Sequence, residues 1–444
     1  MKKLIHFCLA SFAIASAMSC DKDDDMTAMP QEPAVTVGPD QLAYWLTESN
    51  ELVAGNANSP ATFSSKTAVS GIPSGEKLLS IDFRPATGEL YALSSASKFY
   101  IINTANASSR AVSTTAFTPA IARTVASIDF NPTVDRIRSV TNIGQNLRLN
   151  PETGIPAAMD TSIVTTSSIA GIAYTNSKSG ASSTILYDLT TGKTTNIGKL
   201  QQKVIDIAIP TNPVAYAIDN SNALQIFDSN KPEPVTKPIT GLQTGEGILG
   251  IDFRPMNGQL YALGSSSRIY TINLGTGAAT QVGTGTLSTP LLGTEFGFDF
   301  NPTVDRIRVV SDLGQNLRLN PVDGSVAAVD GVINPGVPAL SSAAYTDNFA
   351  GATTTSLLVI DHNTDKLYLQ NPPNAGTLME RGSLGINITS ANGFDIGSAS
   401  QKAYLVASVG ADTKIHTVNT TSGAATAIAT YPNIVKGFTV GLGF

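Results

Sequence analysis

Arg306 and Arg308 stand two apart in the run Asn301 to Arg308 (Asn-Pro-Thr-Val-Asp-Arg-Ile-Arg). On a strand they share one face and Ile307 takes the other. Arg318 opposes Leu317 and Leu319 in the same way, and Asp252 and Asp299 oppose their Ile and Phe neighbours. Every one of these groups recurs 170 positions earlier, as Arg136, Arg138, Arg148, Asp82 and Asp129, and Arg84 is matched by Arg254. A buried charge without a partner costs on the order of several kcal/mol, so such groups must pair or face water. Two chemistries fit. Asp–Arg bridges and turn hydrogen bonds would tie neighbouring units together. Alternatively, a polar channel would bind an anionic or sugar ligand, with guanidinium forks meeting carboxylate or phosphate. Gln145, Asn146, Gln315 and Asn316 would add amide contacts to a sugar, or satisfy loop backbone instead.

Other chemistry finds little material. The chain has three histidines and two cysteines, too few for a disulfide scaffold or a Cys-rich metal site. Gly245 to Gly250 spells the dinucleotide glycine pattern but precedes a strand rather than opening a helix. Asp361 to Lys366 begins like a calcium loop, yet Lys366 stands where the tight-turn glycine belongs and no Glu closes it, so calcium is without support. Catalytic residues, metal and cofactor are therefore assigned as none. Carboxylate pairs for glycoside cleavage are set by distance in space and are not legible here. With 28 basic against 34 acidic residues and no basic tract, nucleic acid is excluded as a partner.

The elements that must position these groups are repeated. Across 128–151 against 298–321, 19 of 24 residues are identical, which marks an internal duplication (about 43–204 and 205–444). Each half holds a shorter unit: an apolar-Asp-Phe strand, a Pro turn, a Leu-Tyr-Ala-Leu strand, an Ile-Tyr-x-Ile strand and a last short strand, clearest from Ile251 to Val282. Period-two alternation dominates and no long stretch has a helical period. The expected fold is all-β, a β-propeller of four-stranded antiparallel blades spanning 41–444. The expected layout is a single ring of about eight to nine blades closed by the C-terminal strand: Gly437 to Phe444 would pair with Tyr44-Trp45-Leu46, which lacks an opening strand. The competing layout is two smaller propellers split near residue 205.

The start of the chain reads as an address. Lys2 and Lys3 precede an apolar run from Leu4 to Ala17, too short to span a bilayer comfortably. Ala17-Met18-Ser19-Cys20 resembles the lipobox of bacterial lipoproteins, which implies cleavage after residue 19 and lipid attachment at Cys20. Residues 20–40 form an acidic and Pro-rich tether, and Asp21 to Asp25 resembles the acidic export signal of surface lipoproteins of Bacteroidota.

Longer motifs point to one family. Gly250 to Pro255, Leu260 to Gly264, Phe296 to Pro302, Asp305 to Ser311, Gln315 to Arg318, Ala344 to Ala352 and Gln370 to Asn374 together resemble bacterial domain of unknown function 4394 over about 215–444. Residues 43–200 resemble a second, less complete copy. The resemblance implies a secreted, propeller-like protein and brings no activity. The expectation is a lipid-anchored outer-membrane protein, displayed on the cell surface, that acts as a non-catalytic binding or scaffold module for glycans or proteins. The alternatives are an extracellular polysaccharide hydrolase or lyase on the same scaffold, and a purely structural envelope protein.

Overall fold

The computed structural model describes residues 40–442 apart from 60–61, 123–124, 165–167, 191–203, 211–213 and 399. The signal segment, Cys20 and all of the tether except Asp40 lie outside them.

Alternating apolar and polar residues make strands, and short Gly- and Asn-bearing turns pair them with their neighbours. The described residues form nine antiparallel sheets, eight of four strands and one of two. Their only helix is a single 3-10 turn, Pro373–Ala375, and none is long and apolar enough to cross a membrane. Four sheets are plain chain-order meanders in the second half of the sequence, starting at Ile248, Phe296, Leu340 and Asn392; the first half has two, starting at Leu78 and Ala126. Ile169–Tyr174 and Leu186–Thr190 form the two-stranded sheet.

The remaining two sheets borrow a strand. Val435–Val440 pairs with Val214–Asp219, Thr439 opposite Tyr216. Leu42–Thr47 pairs instead with Val204–Ala208, Leu46 opposite Asp206. The expected pairing of the C-terminal strand with Tyr44-Trp45-Leu46 is therefore corrected. Among the described residues Leu42–Thr47 is thus covered by Val204–Ala208, which places the boundary between the halves just after residue 208, and Val214–Asp219 is covered by Val435–Val440. Ile205-Asp206-Ile207 stands at the expected start of the second half (about 205–444), yet it does not open that half. Its partner lies behind it in the sequence.

The first strands of the sheets pack side by side. In the second half Ile248–Phe253 lies beside Phe296–Asn301, which lies beside Leu340–Tyr345. Asn392–Ile396 follows, then Val435–Val440, which lies beside Ile248–Phe253 again. A separate apolar cluster fills the space between each successive pair of sheets. In the first half Val204–Ala208, Leu78–Phe83, Ala126–Asn131 and Ile169–Tyr174 follow one another. Equivalent aromatic pairs cross the sheet boundaries: Tyr261 meets Phe300, and Tyr91 meets Phe130, both edge-on at 5.1 Å.

Glycine permits the closest approaches between first strands. A Cβ on Gly393 would stand 2.5 Å from Phe438 Cβ, and one on Gly297 would stand 2.7 Å from Ala343 N. Gly393→Ala is expected to push Asn392–Ile396 away from Val435–Val440 and cost about 1–3 kcal/mol. The check is the midpoint of thermal unfolding, with Gly285→Ala, where φ is ordinary and a Cβ meets nothing within 4 Å, as the comparison for adding a methyl alone.

Candidate functional site: the carboxylate and guanidinium networks

The inner aspartates act as latches between sheets. Phe300 N–H donates to Asp252 Oδ2 (2.8 Å), Tyr345 N–H to Asp299 Oδ1 (2.9 Å) and Val440 N–H to Asp395 Oδ2 (2.7 Å). In the first half Phe130 N–H donates to Asp82 Oδ2 (2.8 Å) and Tyr174 N–H to Asp129 Oδ1 (3.1 Å). Each acceptor lies on one first strand and each donor on the next. An alternating strand places the Asp side chain toward the neighbouring backbone, where no ladder supplies an acceptor.

These carboxyls also crowd one another. Oxygens of Asp252, Asp299 and Asp395 lie within 4.8 Å of each other, and all three residues are buried. Thr439 Oγ1 lies 3.0 Å from Asp252 Oδ1 and 2.7 Å from Asp395 Oδ2. Burial, and then the neighbouring carboxylates, push Asp82, Asp252 and Asp299 well above the usual carboxylate range. Burial raises Asp129 to about 7, and Asp206 and Asp395 to about 6. Such a cluster stores protons. Its donors are backbone N–H groups and one hydroxyl, not the arginines.

The arginines go elsewhere. Arg308, 2% exposed in its side chain, donates to Asp330 (2.7 Å), Asn316 Oδ1 (2.7 Å) and Asn374 Oδ1 (2.8 Å). Arg318 forks onto the same Asp330 at 2.8 and 2.9 Å. Burial opposes the Asp330 charge, but the Arg318 and Arg308 hydrogen bonds outweigh it and hold the carboxyl below its ordinary value. In the first half Arg138, Asn146 and Arg148 gather around Asp160 in the same way. Arg136 and Arg306 reach backbone carbonyls of their own turns, Asp135 O and Asp305 O. Gln145 and Gln315 each bracket a loop, accepting from Ala122 and Leu292 N–H and donating to Ala120 and Pro290 carbonyls. Asn146 and Asn316 use their amides on Thr161 and Gly331 carbonyls.

Arg84 and Arg254 bridge adjacent sheets. Arg254 forks onto Asp305 at 2.8 and 2.5 Å, and Arg84 onto Asp135 at the same distances. Arg84 has one partner more: Nη1 meets Glu152 Oε1 at 2.5 Å, while Asn273 of the other half donates to Glu152 Oε2 at 2.9 Å. The second copy has Val322 at the position of Glu152. Gly275 makes room for this joint, since a Cβ there would fall 1.6 Å from Glu152 Oε1. Glu152→Val is expected to cost about 1–3 kcal/mol by leaving part of a buried guanidinium without its acceptor. Val322→Glu, at a site with no Arg facing another half, is the comparison, and urea denaturation reads both.

Sequence reasoning missed Asp160 and Asp330, the shared anions of the Arg pairs. Both close an Ala-Ala-x-Asp tetrapeptide twelve residues after Arg148 and Arg318, and the repeat offset carries them too. It also missed Asp206, Asp395 and Thr439, which belong to the proton-holding clusters. Asp129 and Asp299 stand opposite Arg138 and Arg308 in register, yet their carboxylates accept from the backbone N–H of Tyr174 and Tyr345.

Repeated four-stranded antiparallel sheets, latched through buried carboxyls and arginine forks, define an all-β repeat protein. The chain belongs to the family DUF4394, a domain of unknown function, whose model matches residues 51–195 and 223–439, one segment on each set of sheets. No match is found among the curated proteins. Among solved structures the chain is similar to the extracellular domain of the putative hybrid two component system BT4673 from B. thetaiotaomicron, at 11% identity and a TM-score of 0.30. The likeness covers 91% of this chain and 62% of that one.

Proposed function

We propose that the chain is a pair of β-propeller modules serving as a binding scaffold for glycans or proteins, carried on the outer membrane by lipid at Cys20 and displayed at the cell surface. In this reading the second half is a five-bladed propeller and the first half a four-sheet module of the same kind. The observation that supports it is the cyclic succession of first strands in the second half, in which Val435–Val440 lies against both Asn392–Ile396 and Ile248–Phe253. Sheets packed face to face in that order leave loops and the outer strands to vary for recognition. The arginine and aspartate groups are spent on holding the sheets together, so ligand contacts fall to loops and to the junction between modules.

Protease added to intact cells is expected to remove the protein, and Cys20→Ala to move it from the membrane to the soluble fraction. Protection in intact cells would end the claim of surface display. Loss of neither anchoring nor lipid labelling in Cys20→Ala would end the claim of the anchor.

A further inference from the structure

We propose that the cavity where the two halves meet is a binding site for a short neutral saccharide; this rests on the reading of the chain as a binding module. The cavity measures about 350 Å³ and lies between the sheet starting at Leu78 and the sheet starting at Ile248. Small-molecule sites span about 300–1,000 Å³, so this one has room for one or two sugar rings.

Its walls are the same three positions of the duplicated unit. Glu89, Ile101 and Arg110 come from the first copy, and Gln259, Thr271 and Thr280, each 170 residues later, from the second. None of the three pairs is identical. Four core pairs on these strands are unchanged, Leu90 and Leu260, Ala92 and Ala262, Tyr100 and Tyr270, Ile102 and Ile272, while Phe99 is replaced by Ile269. The duplicated unit has thus changed at all three polar wall positions while most of the packing beneath them is kept. The outcome is one wall with a carboxylate and a guanidinium, facing one with an amide and two hydroxyls.

The charges on this surface are already compensated. Glu89 is ion-paired with Arg110. Glu152, at the back of the cavity, is held by Arg84 and Asn273. Lys237 nearby donates to the Leu274 carbonyl at 2.8 Å, and burial lowers its pKa. An anionic ligand would meet Glu89 and Glu152, and a cationic one Arg110 backed by Arg84 and Lys237. Either would have to break an existing pair. Vicinal hydroxyls, which donate and accept at adjacent atoms, match a fixed carboxylate and guanidinium side by side without doing so. Gln259, Thr271 and Thr280 offer the same mixture from the other side.

The test is calorimetric titration of the full chain with cellobiose, lactose and diacetylchitobiose, and with glucuronate and glucosamine as charged probes. At least one neutral disaccharide is expected to bind. Thr280→Trp, at an exposed wall position, should fill the space and weaken that binding at least tenfold with an unchanged melting temperature. The double variant Glu89→Gln with Arg110→Thr, which gives the first wall the polar residues of the second, keeps the space open and should weaken binding by a smaller factor. Equal affinity in wild type and Thr280→Trp would overturn the placement while leaving the binding-module reading intact. Preference for glucuronate or glucosamine would overturn the ligand class. Binding of none of the five probes would overturn the proposal altogether.

Discussion

Arg308→Ala is expected to cost the protein about 3–5 kcal/mol, the range for removing one partner of a buried ion pair. Arg308 is nearly inaccessible and so is Asp330, at 2% and 6% side-chain exposure. Truncation leaves Asp330 with Arg318 alone, and strips Asn316 Oδ1, Asn374 Oδ1 and the Tyr345 hydroxyl of one donor. The duplication supplies an internal control. Arg138→Ala removes the same residue from the first copy, where Arg138 and Asp160 are 14% and 25% exposed. Water reaches that pair, so its loss is expected to cost less, about 1–3 kcal/mol. Urea denaturation with equal slopes reads both as a difference in midpoint. Equal costs at the two sites would show that burial does not set the value of the bridge.

The second large effect is a loss of stability between about pH 5 and pH 8. Asp129, Asp206 and Asp395 titrate near 7, 6 and 6 in the folded chain, against about 4 when unfolded. The folded chain therefore holds protons that the unfolded chain has released. The stabilising share of these groups is whole below about pH 4 and is lost as pH rises through the folded values. Asp82, Asp252 and Asp299, raised further, extend the loss to higher pH. Each group near 6 contributes on the order of 3 kcal/mol below about pH 4, and about half of that is lost between about pH 5 and pH 8. Asp160 and Asp330, lowered by their arginines, act in the opposite sense: their share is present above about pH 4 and is lost below it. Maximum stability is thus expected in acid, at about pH 4, where both shares are present. Unfolding midpoints at pH 5 and pH 8 measure the slope, and Asp206→Asn should flatten it. A protein more stable at pH 8 than at pH 5 would contradict the proton-holding clusters.

The unit repeat was legible because alternation and turn glycines act locally. Ile251 to Val282 and its copies pair their strands through neighbours in sequence, whatever then covers their faces. Strand exchange was not legible. Ile205-Asp206-Ile207 and Ala215-Tyr216 have the spacing of an ordinary hairpin, and nothing in the residue types says that the first pairs backward with Trp45. The arginine networks could be half read. Arg306, Arg308 and Arg318 stood out as charges beside apolar strand neighbours, but Asp330, the anion of Arg308 and Arg318, lies a strand away. The destination of Asp129 and Asp299 was invisible for another reason: backbone N–H groups are present at every position except proline and leave no mark in the sequence.

The strand Val204–Ala208 also sets the timetable of a nascent chain. An uncovered edge beside Trp45 invites wrong pairing for as long as it waits. Covered by Val435–Val440, it would stay open until residues near 440 had been made. Because residue 204 covers it, the first half can finish its pairing while the second has yet to emerge, and the second then opens and closes an edge of its own. One long exposure becomes two shorter ones.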